Sequence, residues 1–497
     1  MHRRGRRRCR PQRPAFRIGR SLWCYSCQPQ CPGQSDPTAG PECLWGPQSQ
    51  RGASGCELLP TRVERYQNYV LPTVGTLRVR PAAHRLPEHH HGYLAKYEEA
   101  VRQMKALDKT DPDDPRGFTQ QANVHCAYCN NAYYQVGTEL PISVHFSWLF
   151  FPWHRWYLYF HERILGKLID DPTFALPFWN WDNPCGMHLP SIYDKESSPL
   201  YDANRNPLHR PPAIVDLQYK TGAEEPTDNG LLVRSNLRTM YTEMMKINKT
   251  EDFMGQRYVA GEEAPPSANA GRVEIGSHTS MHIWVGDPKN PYHEDLGNFY
   301  SAGRDPVFYS HHANNKELVR VRAGDALDNE KMGYEYEDAD IPWVHFRPPK
   351  RAAGVKIQDI SQNAQRPEKV FPLKLGRIAR ILVSKTAPGA ADENLLVEHI
   401  HVHSDKFVKF DVYVNSEEDE PKGVENAEYV GTFAKLPHKG GHGEHSLEKG
   451  KGTIRFSLKE LYEDINIVSD DEEIVVTIVP RANGHSVTIG GIKVVKA

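Results

Sequence analysis

Two histidines stand out by their spacing among the 24 in the chain. His278 and His282 are four residues apart, which places both imidazoles on one face of a helix, where they can hold one metal ion. A pair at this spacing also occurs by chance on polar helix faces, so the pair alone is weak evidence for a metal site. A zinc hydrolase built on it would need an acidic residue between the two histidines, and none is present.

A second candidate group lies upstream, where His125 and Cys129 precede His145 and His154. Pro152 suits the first position of a helix, so His154 is expected in the first turn and His145 in the segment that leads into it. Three neutral imidazoles can then converge on one ion. Imidazole binds zinc, copper and non-haem iron alike, and the cysteine adds a soft ligand, so the spacing leaves the metal open.

The apolar residues predict a helical domain that positions these histidines. Helical spacing runs from 93 to 107, and further helices are expected at 153–169, 234–246 and around 278–284. Loops rich in proline, glycine and asparagine separate these segments. Strand patterns are scarce in this part of the chain.

The pattern changes beyond a polar, proline-containing segment at 345–375, which is predicted to be a linker. Short β-branched or alternating runs follow, and Asn483-Gly484 is predicted to form a hairpin turn between the last two of them. Their spacing predicts a small antiparallel sandwich. The predicted strands lie at 378–383, 395–402, 407–414, 453–456, 473–479 and 487–495.

Composition and charge exclude several classes of function. The chain has 497 residues, and its 61 basic and 63 acidic residues give no net field that would attract nucleic acid or an anionic membrane. It lacks an uninterrupted apolar stretch long enough to span a bilayer. Residues 1–75 are predicted to be an unstructured leader. Its arginine-rich, acid-poor start is typical of an organelle transit segment, although a disordered or wrongly predicted N-terminus would look the same.

Several long segments carry specific motifs, and in them the chain resembles the plant polyphenol oxidases, the catechol oxidase and tyrosinase family of dicopper proteins. The segments are LRVRPAAH at 77–84, QANVHCAYC at 121–129, WLFFPWHRWYLYF at 148–160, ALPFWNWD at 175–182, GNFYSAGRDP at 297–306, HHAN at 311–314 and KFDV at 409–412. The resemblance covers residues 75 to 497.

The resemblance implies a fold, a cofactor and a reaction. The expected fold is a mainly α, four-helix-bundle dicopper domain at 76–344, followed by the β domain at 376–497. The expected reaction is the oxidation of catechols to o-quinones by O₂, with two copper ions as cofactor and small phenols as substrates. The family pattern also implies that the β domain shields the site until cleavage in the linker, and that the protein lies in the plastid, in the thylakoid lumen.

The resemblance also assigns the metal ligands. The first copper is assigned to His125, His145 and His154, and the second to His278, His282 and His312. His311, beside His312, is expected to orient its neighbours without binding the metal.

Further site residues follow from the family pattern. Cys129 matches a cysteine that forms a thioether to a first-site histidine, here His145, although a free buried thiol is the alternative. Cys126 matches a cysteine that forms a disulfide with the N-terminal segment, where Cys56 is the best-placed partner.

Three residues match positions that act on the phenol. Phe299 matches the aromatic residue that hangs over the second copper and stacks on the incoming ring, and Glu274 matches the carboxylate that holds a water near the second copper. Monophenol-oxidising members carry an amide side chain where this chain has Thr279. A hydroxyl is a weaker acceptor than an amide carbonyl, so monophenol hydroxylation is expected to be weak or absent.

The chain departs from the family pattern after Asn314. The family continues there with a Val-Asp-Arg segment and later an Asp-Trp-Leu motif, and neither is present in this sequence. Such a deletion would shorten the helix that carries His312 and remove buried contacts. The alternative prediction is therefore a non-catalytic or inactivated member of the family with an impaired second copper site.

Overall fold

The computed structural model describes residues 71–89, 91–129, 133–135, 138–221, 228–314, 328–403, 405–438, 451–467 and 471–497. A helical domain precedes a β-sandwich, as predicted. The helices are α1 (Leu86–His89), α2 (His91–Thr110), α3 (Phe118–Cys129), α4 (Phe150–Leu168), α5 (Asn229–Met245), α6 (Thr250–Met254), α7 (Thr279–Val285), α8 (Val307–His312), α9 (Ile357–Ile360), α10 (Pro367–Val370) and α11 (Lys459–Asp464). None of these described helices is long and apolar enough to cross a membrane.

Helices α2, α3 and α4 pack together around a core rich in aromatic residues. A buried carboxylate on α4, Glu162, fixes the start of the described chain against this core. It accepts hydrogen bonds from Arg80 at 2.9 Å, from Arg78 at 3.0 Å and from the backbone N–H of Leu176 at 2.8 Å. Both charges of the Arg80–Glu162 pair are fully buried, so removing either one would leave the other uncompensated.

The C-terminal domain is a sandwich of two antiparallel sheets with an apolar core between them. One sheet has the order β4-β9-β6-β7, and in the other β11-β5-β10-β3 is extended by β8, which pairs with β5. The strands are β3 (Leu373–Lys374), β4 (Ala379–Ser384), β5 (Glu393–Val402), β6 (Val408–Val414), β7 (Tyr429–Lys435), β8 (Gly452–Ser457), β9 (Glu473–Ala482), β10 (Val487–Ile489) and β11 (Gly491–Lys496). Two further short strands, β1 (Arg78–Arg80) and β2 (Tyr334–Tyr336), pair in parallel in the helical domain.

The hairpin predicted at Asn483-Gly484 is wrong. Asn483 does adopt the left-handed conformation that such a turn uses, with φ 44°. However, β9 belongs to one sheet and β10 to the other, so this segment crosses between the sheets. The segment predicted to be a linker contains α9, α10 and β3, which pack against or pair with the sandwich.

The two domains share their apolar cores. Phe407 and Leu436 of the sandwich belong to the core of the helical domain, and Ile275 of the helical domain belongs to the core of the sandwich. Every residue of β6 is buried, and one of them, Lys409, contacts the helical domain. The sandwich is therefore joined to the helical domain by continuous packing.

Candidate metal centre

Three histidines of the helical domain point their Nε2 atoms at one position. The Nε2 atom of His282 lies 3.1 Å from that of His278 and 3.1 Å from that of His312, and the His278–His312 separation is 3.3 Å. Ligand atoms about 2.0–2.1 Å from one ion in near-tetrahedral geometry have this separation. The three side chains therefore form a site that fits a metal ion bound by three imidazoles.

The local fold explains how the three rings meet. A π-helical turn, Glu274–His278, runs into α7, so His278 and His282 lie one turn apart on the same side of the helix. His312 is the last residue of α8. The Nδ1 atom of His282 lies 2.7 Å from the carbonyl oxygen of Leu296, which it can reach only as a donor. That hydrogen bond fixes the tautomer and leaves Nε2 free for a metal.

A second group lies beside the first. His125 on α3, His154 on α4 and His145 in the preceding loop have ring centres 5.1 to 5.7 Å apart. His154 donates from Nδ1 to the carbonyl oxygen of Phe150 at 2.7 Å, and its buried Nε2 has no hydrogen-bond partner in the protein. One ring nitrogen of each histidine and the sulfur of Cys129 lie within 4.8 Å of one another.

The two groups are close enough to act on one small molecule. The ring of His154 stacks on that of His312 with centres 4.5 Å apart and planes 21° from parallel. Phe150 lies against both groups, 4.8 Å from His154 and 4.8 Å from His278. Two metal ions held here would be neighbours in a pocket walled by aromatic rings.

Burial keeps these histidines neutral. Desolvation lowers the pKa of His154 to about 3 and that of His282 to about 4, and it lowers the pKa values of His125, His145, His278 and His312 as well. Neutral imidazole is the form that binds metals. Buried ring nitrogens without a hydrogen-bond partner occur in both groups, at His125, His145 and His154 and at His278. Neutral imidazoles of this kind suit copper ions.

Family models match three parts of the chain. They are the common central domain of tyrosinase at residues 115–320, the polyphenol oxidase middle domain at 306–349 and the chloroplastic polyphenol oxidase C-terminal domain at 369–496. The chloroplastic polyphenol oxidase of Malus domestica is 41% identical over 500 residues, which cover 89% of this chain and 82% of that protein. The chain belongs to the plant polyphenol oxidases.

Other similar proteins agree with this membership. The (+)-larreatricin hydroxylase of Larrea tridentata is 41% identical over 462 residues, which cover 84% of this chain and 77% of that protein. The structure of latent apple tyrosinase superposes with a TM-score of 0.78 at 40% identity, covering 86% of this chain and 99% of the apple protein. This polyphenol oxidase is therefore a copper-dependent oxidoreductase, and its two histidine groups fit the two copper ions of the family.

The remaining histidine and cysteine predictions have defined positions in the polyphenol oxidase. His311 stacks on His278, with ring centres 5.0 Å apart and planes 14° from parallel. Cys129 is a buried free thiol whose pKa is raised by burial, and its sulfur lies within 4.8 Å of a ring nitrogen of His145. Cys126 is disulfide-bonded, but Cys56 lies outside the described residues, so that pairing stays a prediction.

The predicted phenol-contacting residues of the polyphenol oxidase lie around the same pocket. The Phe299 ring, which was expected over the second copper, is 4.6 Å from that of His145, so it borders the first histidine group. Glu274 accepts a hydrogen bond from the N–H of Phe146 at 2.8 Å, and its other carboxylate oxygen is buried without a partner. The Thr279 hydroxyl donates to the backbone carbonyl of Glu274 at 2.7 Å.

One residue at the site of this polyphenol oxidase escaped the sequence analysis. His438, in the loop after β7, has its ring centre 5.9 Å from that of Phe299. It comes from the sandwich, so the C-terminal domain contributes a side chain to the mouth of the pocket. No local pattern around His438 marks it, because the contact depends on how the two domains dock.

Proposed function

We propose that this chain oxidises catechols to o-quinones, and that hydroxylation of monophenols is weak or absent. Two catechols give up four electrons and four protons, and one O₂ becomes two waters. The observation that carries the proposal is the pair of adjacent three-histidine groups, with His154 stacked on His312. We assign the first copper to His125, His145 and His154, and the second to His278, His282 and His312. Copper bound at these positions supplies the electron transfer between phenol and O₂.

The protein groups around the pocket orient the phenol and its protons. Phe299 and Phe146 have ring centres 5.8 Å apart, and Phe299 is placed to stack on an incoming phenol ring. The unpartnered carboxylate oxygen of Glu274 is placed to hold a water, since the other oxygen is fixed by the N–H of Phe146. Burial also raises the pKa of Glu274 well above its ordinary value.

Thr279 supports diphenol oxidation over monophenol hydroxylation. Its hydroxyl proton is engaged with the carbonyl of Glu274, and the side chain offers no amide oxygen to the pocket. A catechol is more acidic and more easily oxidised than a monophenol, so it depends less on an added acceptor. One relative, from Larrea tridentata, is named a (+)-larreatricin hydroxylase, so hydroxylation is the competing activity to test.

We further propose that the sandwich keeps the enzyme latent and that cleavage near 349–356 activates it. This stretch has no helix or strand, and Pro349, Lys350, Ala352 and Ala353 are exposed. Several relatives are named chloroplastic, which supports a plastid location, and we place the protein in the thylakoid lumen by family pattern.

Oxygen uptake by the copper-loaded full chain, with catechol and then tyramine as substrate, tests the proposal. We expect faster uptake with catechol and a further increase after limited proteolysis. Equal rates on both substrates would overturn the substrate assignment, and an unchanged rate after cleavage at 349–356 would overturn latency. The alternative of an impaired second site predicts no uptake with either substrate and one copper per chain.

A further inference from the structure

Lys409 of the sandwich reaches into the helical domain. It belongs to β6 and is 1% exposed. Its ammonium lies 3.3 Å from the hydroxyl oxygen of Ser280, 3.3 Å from the carbonyl oxygen of Tyr219 and 3.5 Å from that of Leu217. All three acceptors belong to the helical domain. They lie outside α3 and α4, the helices that carry His125 and His154.

Burying an ammonium that contacts only uncharged oxygens costs desolvation free energy. Burial lowers the pKa of Lys409, and the carboxylates of Asp411, Asp216 and Glu243 oppose that shift from further away. An apolar residue of similar length would avoid the desolvation penalty. We therefore attribute a positional role to the ammonium, which fixes the position of its three acceptors.

Ser280 lies on the back of the helix that carries two metal ligands. With 3.6 residues per turn, its side chain points about 180° away from the mean direction of His278 and His282. Ser280 is fully buried, so Lys409 contacts the face of α7 that is opposite the metal site. A shift of α7 toward the sandwich would move both imidazoles away from His312.

The same helix is held at its start by the helical domain itself. Glu243 on α5 accepts hydrogen bonds from the N–H of Ser277 at 3.0 Å and from its hydroxyl at 2.6 Å. The carboxylate fits against Gly276, where a Cβ atom would lie 2.0 Å from its oxygen. One end of α7 is thus fixed within the helical domain, while the Ser280 position is fixed by the sandwich.

We propose that Lys409 is a positioning residue for the second copper site, so that the sandwich holds this site in shape as well as covering it. The inference rests on the proposed ligand set. It implies that detaching the sandwich has two opposed effects: substrate gains access, and the helix carrying His278 and His282 loses a support on its back. The second copper is then held less tightly than the first.

The test uses the full copper-loaded chain and three substitutions. Lys409→Met removes the ammonium, and Ser280→Ala removes its acceptor on α7 without altering the sandwich. Tyr462→Phe is the matched control, because it removes a buried hydrogen bond from Tyr462 to Glu393 at 2.9 Å inside the sandwich. Copper per chain and copper visible by electron paramagnetic resonance are measured during dialysis against a chelator, together with thermal unfolding. Neighbouring copper(II) ions are magnetically coupled and silent, whereas a single remaining one is visible.

We expect Lys409→Met and Ser280→Ala to lose one of two coppers about 10-fold faster than the unsubstituted chain, with a visible signal appearing as the copper falls. Tyr462→Phe should unfold at a lower temperature and keep wild-type copper loss. The double variant Lys409→Met/Ser280→Ala should lose copper no faster than Lys409→Met, because Ser280→Ala breaks a contact that Lys409→Met already removes.

The inference is overturned if the unsubstituted chain and Ser280→Ala lose copper at the same rate, and this arm holds even if Lys409→Met does not fold. It is also overturned if Tyr462→Phe loses copper as fast as the other variants. An unsubstituted chain that never binds two coppers would instead overturn the proposed ligand set.

Discussion

The ring of His438 lies 5.9 Å from the ring of Phe299, so a side chain of the sandwich contacts the residue that borders the first histidine group. Phe299 is also the residue assigned to stack on the phenol. A phenol ring that approaches Phe299 from the side of the sandwich therefore meets His438 first. The latency that we propose for this chain would then have a local cause, in addition to the general cover of the sandwich.

Replacing His438 by alanine should raise the activity of the intact chain. The smaller side chain opens the approach to Phe299, and we expect kcat/KM for catechol to rise several-fold, with a smaller further gain after proteolysis. His485→Ala, at an exposed histidine of the same domain, is the control and should change neither value. Unchanged activity of His438→Ala, with full activation by protease, would show that His438 does not obstruct the site.

Replacing Thr279 by asparagine should shift the balance between substrates. The amide oxygen supplies the acceptor that the hydroxyl lacks, so the ratio of tyramine hydroxylation to catechol oxidation should rise about 10-fold or more. Thr279→Val, which has the same shape without the hydroxyl, should leave the ratio close to that of the unsubstituted chain. A ratio that stays constant in Thr279→Asn would remove position 279 from the control of hydroxylation.

The Cys129 sulfur should become bonded to the His145 ring in the copper-loaded enzyme. The thiol is buried beside that ring, and bound copper with O₂ is the oxidant that removes the two hydrogen atoms lost in forming the thioether. Peptide mass spectrometry should find one cross-linked species two hydrogen atoms lighter than the sum of its peptides. Cys129→Ser should lack this species, and finding separate, unmodified peptides from the loaded enzyme would contradict the assignment.

His161 should make the stability of the copper-free chain depend on pH. Its buried ring stacks on Tyr309, and desolvation lowers its pKa to about 3. The unfolded chain binds a proton below about pH 6.5 while the folded chain does not, so stability falls as the pH drops from about 6.5 toward 3.

A His161→Phe variant isolates this contribution because phenylalanine can stack on Tyr309 but does not titrate. Between pH 7 and pH 5, its free energy of unfolding in urea should fall by about 2 kcal/mol less than that of the unsubstituted chain. Equal pH dependence in the two proteins would show that His161 is protonated in the folded state.

Local spacing predicted much of the site. The four-residue separation of His278 and His282 placed both on one side of the helix that ends in α7. Pro152 indicated a helix start close to His154, but α4 begins at Phe150, so Pro152 is its third residue and His154 lies in the second turn. Both the histidine spacing and the helix start depend on helix geometry, which neighbouring residues determine. The order of strands in the sandwich is not determined by neighbouring residues. The turn residue Asn483 was therefore identified, whereas the hairpin predicted around it was wrong.

Contacts between distant segments could not be predicted. The approach of Lys409 to Ser280 joins residues 129 positions apart, and that of Glu243 to Ser277 joins residues 34 positions apart. Lys409 could be noticed only as the first residue of a motif, with no indication of its partner. His438 had no sequence signal at all, because its position depends on the docking of two independently patterned domains.

The deletion predicted after Asn314 bears directly on the second site. Residues 315–327 lie outside the described structure, while α8 delivers His312 to within 3.3 Å of both partner nitrogens. Buried contacts from Ser310 to Tyr193 and to the carbonyl oxygen of Pro177 hold that short helix in place. These contacts between described residues hold His312 in place and support a second site that binds metal.

The copper content of the purified full chain, measured together with its electron paramagnetic resonance signal, tests the central claim most directly. Six histidines in two adjacent groups predict two copper ions per chain, magnetically coupled and therefore silent as copper(II). His312→Ala should then leave one visible copper. A single visible copper in the unsubstituted chain would contradict the account, because it would show that His278, His282 and His312 do not hold an ion beside the first.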